Sequence, residues 1–144
     1  MTRSTMREHI FRLLFRAPFF NKSDIEEQIE YYFCNSIATE EFDIKTESIK
    51  DEDYLYIKDK TLDIVSHVDE IDLKINEASE GWPIDRIGKT ELSIMRLAVY
   101  EMFYDDDIPV NVAINEAVEL AKKYGSADST AAFVNKVLDK LIEK

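Results

Sequence analysis

The side chains best equipped for chemistry stand at the start of the chain: Arg3, Arg7, Arg12 and Arg16. Arg3 and Arg7 are four residues apart, which places them on one side of a helix. A guanidinium offers a fork of donors that fits phosphate oxygens, and a flat face that stacks on an unpaired base. A helix beginning beneath Arg3 would add the partial positive charge of its free N–H groups. The alternative is a solvated basic face with no ligand. A second place of interest is the turn Tyr124-Gly-Ser-Ala-Asp-Ser129. Its two hydroxyls, and the backbone N–H groups opening the next helix, could hold a phosphate or read a base edge. They could equally serve as simple helix caps through Ser126 or Asp128.

Charge distribution favours these two places over the rest. The whole chain carries a net charge of -12. Residues 1–22 hold five basic groups against Glu8 alone, or +4, so the other 122 residues, with 13 basic and 29 acidic groups, carry -16. Within that acidic remainder, residues 122–136 hold Lys122, Lys123 and Lys136 against Asp128, or +2. Two basic islands therefore sit in an acidic chain.

Enzymatic constellations are missing. His9 and His67 belong to no metal-binding spacing and read as partly exposed helix residues. Cys34 follows two aromatics, which suits a buried, inert thiol, and a lone cysteine excludes disulfide frameworks and cysteine zinc clusters. No glycine-rich phosphate loop exists. The expectation is a protein that is not an enzyme and takes no cofactor and no metal. No apolar run reaches the ~18 residues of a membrane span. A cytoplasmic protein without a membrane partner is expected.

The elements that must position these residues are helices. Only three Gly and three Pro in 144 residues leave little for tight hairpins. Met6, Ile10, Leu13, Leu14 and Ala17 predict a first helix from about Thr5 to Ala17, stopped by Pro18. Ser23-Asp-Ile-Glu26 reads as a capping box for a second helix, with Ile25, Ile29, Tyr32, Phe33 and Ile37 inward. Thr39 to Asp53 reads as a long exposed connection. A long third helix from about Glu52 to Ile75 would bury Leu55, Leu62, Val65, Val68 and Ile75, ending at Ala78-Ser-Glu-Gly81. Trp82-Pro83 starts a short helical turn, and Gly88 separates it from a fourth helix carrying Leu92, Met95, Val99, Met102 and Phe103. Pro109 and Asn111 open a fifth, with Val112, Ile114, Ala117, Val118 and Ala121 inside. Tyr124-Gly125 suits a cap with glycine in the left-handed conformation. A sixth carries Val134, Val137, Leu138 and Leu141. The predicted class is all-α, with six to seven helices. Phe19-Phe20 would form an exposed apolar patch.

Three stretches carry a resemblance: Trp82-Pro83-Ile84-Asp85-Arg86-Ile87; Glu91 with Met95-Arg96-Leu97-Ala98-Val99-Tyr100-Glu101; and Ile108-Pro109 through Gly125 followed by Phe133-Val-Asn-Lys-Val-Leu-Asp139. Together they resemble the NusB family of bacterial transcription antitermination factors, closely from Trp82 to Asp139 and more loosely from Arg3 to Phe15. The resemblance implies a single NusB-like domain over 1–144. Two three-helix bundles would pack into it, with halves of about 1–78 and 79–144 meeting near Ala78 to Gly81. It also implies binding of single-stranded boxA-like RNA together with NusE, a small-subunit ribosomal protein, including in rRNA transcription, and recruitment of the transcription elongation complex. In the family the first helix start and the 124–129 turn lie together as the RNA surface. Carried over, that surface is Arg3, Arg7, Ser126, Asp128, Ser129 and Phe133, with Lys122 and Tyr124 beside them. Phe133 could stack on a base or join the core beside Val134. The partner face would use Phe15, Asp85, Arg86 and Glu91. Core packing is the alternative for Phe15, and stabilisation of a first helical turn for Glu91. A monomer or weak homodimer is expected. The rival reading is a helical protein–protein adaptor without RNA binding. A domain preceding an RNA cytosine methyltransferase is disfavoured by the closing Leu141-Ile142-Glu-Lys.

Overall fold

The computed structural model describes residues 1–19, 21–34, 50–80 and 82–142. Expectations for Phe20, Ile37, the 39–49 connection, Gly81 and the Phe19 and Cys34 side chains fall outside what is described. Among the described residues, the chain forms seven α-helices and two short 3₁₀ turns: α1 Arg3–Arg16, α2 Lys22–Cys34, α3 Asp51–Ser66, α4 Val68–Ala78, α5 Lys89–Phe103, α6 Val110–Tyr124 and α7 Asp128–Ile142. The all-α expectation holds. The contacts divide the chain into two compact units, Met1–Val65 and Ser66–Lys144.

In the N-terminal unit, α1 starts two residues before the expected Thr5. Thr2 caps it, its hydroxyl accepting the Thr5 N–H at 3.1 Å and satisfying a donor the helix cannot use. The α1 stripe is wider than Met6, Ile10, Leu13, Leu14 and Ala17. His9 and Phe11 are also buried, while Met6 and Ala17 are half-covered. α2 opens at Lys22, so Ser23 lies inside the first turn instead of capping it. Its Ile25, Ile29 and Tyr32 are buried as expected. On α3 the inward row is Ile57, Thr61, Ile64 and Val65. Leu55, expected inside, is 52% exposed. The apolar residues of α3 admit two registers, and the unit buries the isoleucine row.

The predicted third helix is two helices. It breaks at His67, whose φ of -106° and ψ of 9° leave the helical region, with no Pro or Gly nearby. The His67 ring lies against Tyr104 at 4.6 Å, and its Nδ1 is hydrogen-bonded to the Ser66 hydroxyl at 3.2 Å. A local side-chain hydrogen bond and a tertiary ring contact replace helical continuity.

The break gives the C-terminal unit four helices. α4 packs on α5 and α7, α5 on α6 and α7, and α6 on α7. The halves therefore divide ahead of α4, not in the expected 78–81 stretch, because α4 packs with the later helices. Ile71, Ile75, Ile94, Met95, Leu97, Val99, Val134 and Leu138 fill this core. Arg96 clamps Asp72 with two hydrogen bonds of 2.9 and 2.8 Å, and Tyr104 donates to Glu70 at 2.7 Å, both tying α5 to α4. On α6 the inner row is Ala113, Ile114, Ala117, Leu120 and Ala121. Val112 faces outward and Val118 is half-covered, so that expected face is rotated by about one position. Phe103 of α5 is also exposed, under the Lys74 ammonium at 4.5 Å. The α7 stripe of Val134, Val137, Leu138 and Leu141 is buried as predicted.

Candidate nucleic-acid interface

The turn between α6 and α7 is held by close backbone approach. Gly125 has φ -72° and ψ 149°, an extended conformation open to any residue. The expected left-handed cap is therefore absent, and glycine is required for space. A Cβ at Gly125 would collide with the Ala121 carbonyl oxygen and approach Thr130 Cγ2 to 2.7 Å. The Gly125 N–H donates to that same Ala121 carbonyl at 2.9 Å, closing α6. α7 opens with the Thr130 N–H bonded to the Ala127 carbonyl at 3.0 Å, so the first α7 amides sit directly behind the turn.

Around this frame, Ser126, Asp128 and Ser129 are exposed. Lys122 and Lys123 are also exposed; Lys122 pairs loosely with Glu119 at 3.5 Å, and Lys123 lies 5.6 Å over the Tyr124 ring. Tyr124 and Phe133 are half-covered. Half-cover leaves part of the Phe133 side chain accessible. Such a surface offers hydroxyl donors, helix N-terminal N–H groups and long ammonium side chains, with the carboxylates of Asp128 and Glu119 beside them. That chemistry suits phosphate and base edges of a polar strand.

In the N-terminal unit Arg3 is exposed in the first turn of α1, which contains no acidic residue. Arg7 is not a surface side chain. It is 5% exposed, three residues before buried Ile10 and four before buried Phe11, so it belongs to the covered side of the helix. Arg12 is likewise buried, its guanidinium 5.2 Å over the Tyr32 ring. His9, expected to be partly exposed, is 1% exposed and shares a 2.8 Å hydrogen bond with the Tyr32 hydroxyl. Burial, reinforced by the nearby Arg12 charge, pushes the His9 imidazole down to about 4. Burial pushes the Tyr32 phenol up to about 12, against the opposing pull of Arg12 and Arg16.

The residues expected to meet a protein partner fall into three situations. Asp85 and Arg86 are exposed on the 3₁₀ turn Ile84–Arg86, which follows the exposed Trp82. Phe15 is half-covered, its ring 6.4 Å from Phe11. Glu91 is half-covered in the first turn of α5, folded over Gly88, where a Cβ would collide with its Oε2. Its other oxygen accepts a long 3.5 Å hydrogen bond from the Thr130 hydroxyl. Within the C-terminal unit, the fold thus brings an expected partner residue against the frame of the expected RNA turn. Thr130 was not legible as a functional residue. The only sequence signal was the Gly88-to-Glu91 spacing, which is that of an N-cap and its third helical residue.

Comparison with known proteins accounts for nearly the whole chain: the model of the NusB family matches residues 4–143. The chain belongs to the NusB family. The transcription antitermination protein NusB of Agathobacter rectalis is 49% identical over 140 residues, covering 97% of this chain and 98% of the relative. NusB of T. maritima superposes with a TM-score of 0.79 at 29% identity, covering 100% of this chain and 92% of that one. A chain in a crystal structure of a plectonemic RNA supercoil superposes with a TM-score of 0.73 at 28% identity, covering 98% and 94%. As a NusB-family member the chain is a transcription antitermination factor. Among the described residues no helix is long and apolar enough to cross a membrane.

Proposed function

We propose that this chain acts in antitermination by holding a single-stranded boxA-like RNA while the ribosomal protein NusE docks on it, including during rRNA transcription, and that the assembled complex engages the transcription elongation complex. The observation that carries the RNA half is the exposed Ser126-Ala-Asp-Ser129 turn at the start of α7, with Lys122 and Lys123 at the preceding helix end. Tyr124 and Phe133 supply ring surface for a base, and Ser126 and Ser129 supply hydrogen bonds. Arg3 supplies a phosphate contact from the α1 start. Arg7, being covered, supports α1 and does not reach RNA directly. The similarity to a chain crystallised in an RNA supercoil supports an RNA partner.

The protein half rests on charge and on Asp85, Arg86, Glu91 and Phe15. Outside the first 22 residues the chain carries -16, which favours encounter with a basic ribosomal protein and biases partner choice. The chain works without a cofactor or metal in this reading, as a binding factor and not as an enzyme, in the cytoplasm. It acts as a monomer or weak homodimer.

Fluorescence anisotropy with a labelled boxA-like RNA, with and without NusE, tests both halves. Contact with about three phosphates gives a log–log salt slope near ~-2 for a single strand. RNA and NusE must also tighten each other's binding by the same factor. NusE binding with no RNA affinity at any salt concentration would leave only the adaptor reading.

A further inference from the structure

The Thr130 side chain meets the partner-face carboxylate and also lies against the backbone of the RNA turn. Its hydroxyl donates to Glu91 Oε1 at 3.5 Å, and its Cγ2 stands where a Cβ on Gly125 would come within 2.7 Å. Thr130 is 5% exposed, so the two contacts are made inside the unit and not through water. Gly88 leaves the space that the Glu91 carboxylate occupies over the α5 start, since any Cβ there would collide with Oε2. The order is therefore Gly88, Glu91, Thr130, Gly125.

We infer that Thr130 is a positioning residue that transmits the state of Glu91 to the 124–129 turn. This rests on the proposed reading of the turn as an RNA surface and of Glu91 as a partner residue. A threonine on a helix divides between discrete χ1 wells, because its hydroxyl has competing acceptors on the preceding backbone. In the observed well the hydroxyl serves Glu91 while the methyl group wedges against Gly125. A cationic group of a partner that draws the Glu91 carboxylate outward removes that acceptor. The hydroxyl then turns to another acceptor and the methyl moves across Gly125 while the Thr130 Cβ, equally close, stays in place, so the turn shifts instead of opening. A 3.5 Å hydrogen bond contributes little to stability, but it is readily exchanged, as a switching contact must be. Coupling between two sites requires an element with two arrangements that both sites bias, and the Thr130 rotamer supplies one.

The test separates this coupling from the RNA reading. In a partner-free arm, ¹⁵N-labelled protein is compared with its Glu91→Gln variant by amide NMR. The substitution is expected to displace the Gly125 to Ser129 resonances. In a Thr130→Val background, which keeps a methyl but removes the donor, the displacement is expected to fall to less than half. Thr130→Ser, which keeps the donor but removes the methyl wedge, must uncouple as well, and it serves if the valine variant does not fold. Equal displacements in all backgrounds, or none in wild type, overturn the inference. In the second arm, the factor by which NusE tightens boxA-like RNA is expected to fall toward one in Thr130→Val, from a wild-type factor of roughly fivefold or more. An unchanged factor overturns the coupling. NMR coupling in a protein that binds no RNA upholds Thr130 as the link and rejects the RNA reading instead.

Discussion

The two units bury charge in opposite ways. The N-terminal unit covers Arg7, Arg12, Lys60 and His9, and settles cations on ring faces: Arg12 and Arg16 over Tyr32 at 5.2 and 5.8 Å, Lys60 over Tyr56 at 5.4 Å. Its His9, Tyr32, Phe33 and Tyr54 rings cluster with centroids 4.9 to 5.7 Å apart, three of the pairs edge to face and His9–Phe33 tilted. The C-terminal unit is mostly aliphatic within. Among its described residues it covers one charged side chain, Glu101, and places its ion pairs Arg96–Asp72 and Lys140–Glu80 nearer the surface. An aliphatic core stabilises through area and close packing alone. An aromatic–cation core also depends on protonation and on the fit of long polar side chains.

The largest expected effect tests the aliphatic side of this contrast. Leu138 has no exposed surface. Leu138→Ala should therefore cost about 2–5 kcal/mol in urea melts, with no dependence on pH between about 4 and 7 beyond that of wild type. A cost below about 1 kcal/mol would mean that the C-terminal core can collapse around the missing atoms.

Acid should act on the other unit. Above pH 6.5 His9 is neutral in the folded and unfolded chain alike and contributes no pH dependence. As pH falls from 6.5 toward 4, the unfolded chain takes up a proton that the buried ring refuses, so stability declines; below 4 the decline from this group levels off. The loss is at most about 3.5 kcal/mol, because each tenfold difference in proton affinity between the folded and unfolded chain is worth ~1.4 kcal/mol. Chemical denaturation at several pH values should show His9→Leu flattening this part of the profile, which carboxylates elsewhere otherwise shape. An identical profile in the variant would deny His9 any part in acid sensitivity.

Smaller effects distinguish the two arginines that share a helix face in sequence. Arg7→Ala should cost about 1–3 kcal/mol, since it removes covered stem and polar contacts together. Arg3→Ala should change stability by less than about 0.5 kcal/mol while weakening RNA binding and lowering its salt slope. Equal stability losses for the two variants would erase the distinction drawn from burial.

How far the sequence could be read follows the same division. The α7 row of Val134, Val137, Leu138 and Leu141 was legible because its apolar residues admit a single helical face. On α3 several apolar rows compete, and Leu55 was assigned to the wrong one. The shared spacing of the N-terminal arginines suggested the same exposure for both, whereas Arg3 is exposed and Arg7 is covered. Helical spacing reports which residues share a side, but says nothing of how wide the covered side is. Of the candidate site, Ser126, Asp128, Ser129 and Lys122 were proposed from residue type and turn position, and the structure leaves all four exposed. Thr130 was not, because a threonine in a first helical turn has no distinguishing local pattern.

By itself, the sequence determined the all-α class, most helix limits, the C-terminal stripe and the family. Those follow from local propensity, periodicity and shared residues, which are properties of short stretches. Tertiary structure alone decided the break at His67, the burial of His9, Arg7 and Arg12, the extended Gly125 and the meeting of Glu91 with Thr130. Each of these depends on which surface arrives from a distant part of the chain, and packing energy outweighs local preference wherever the two disagree.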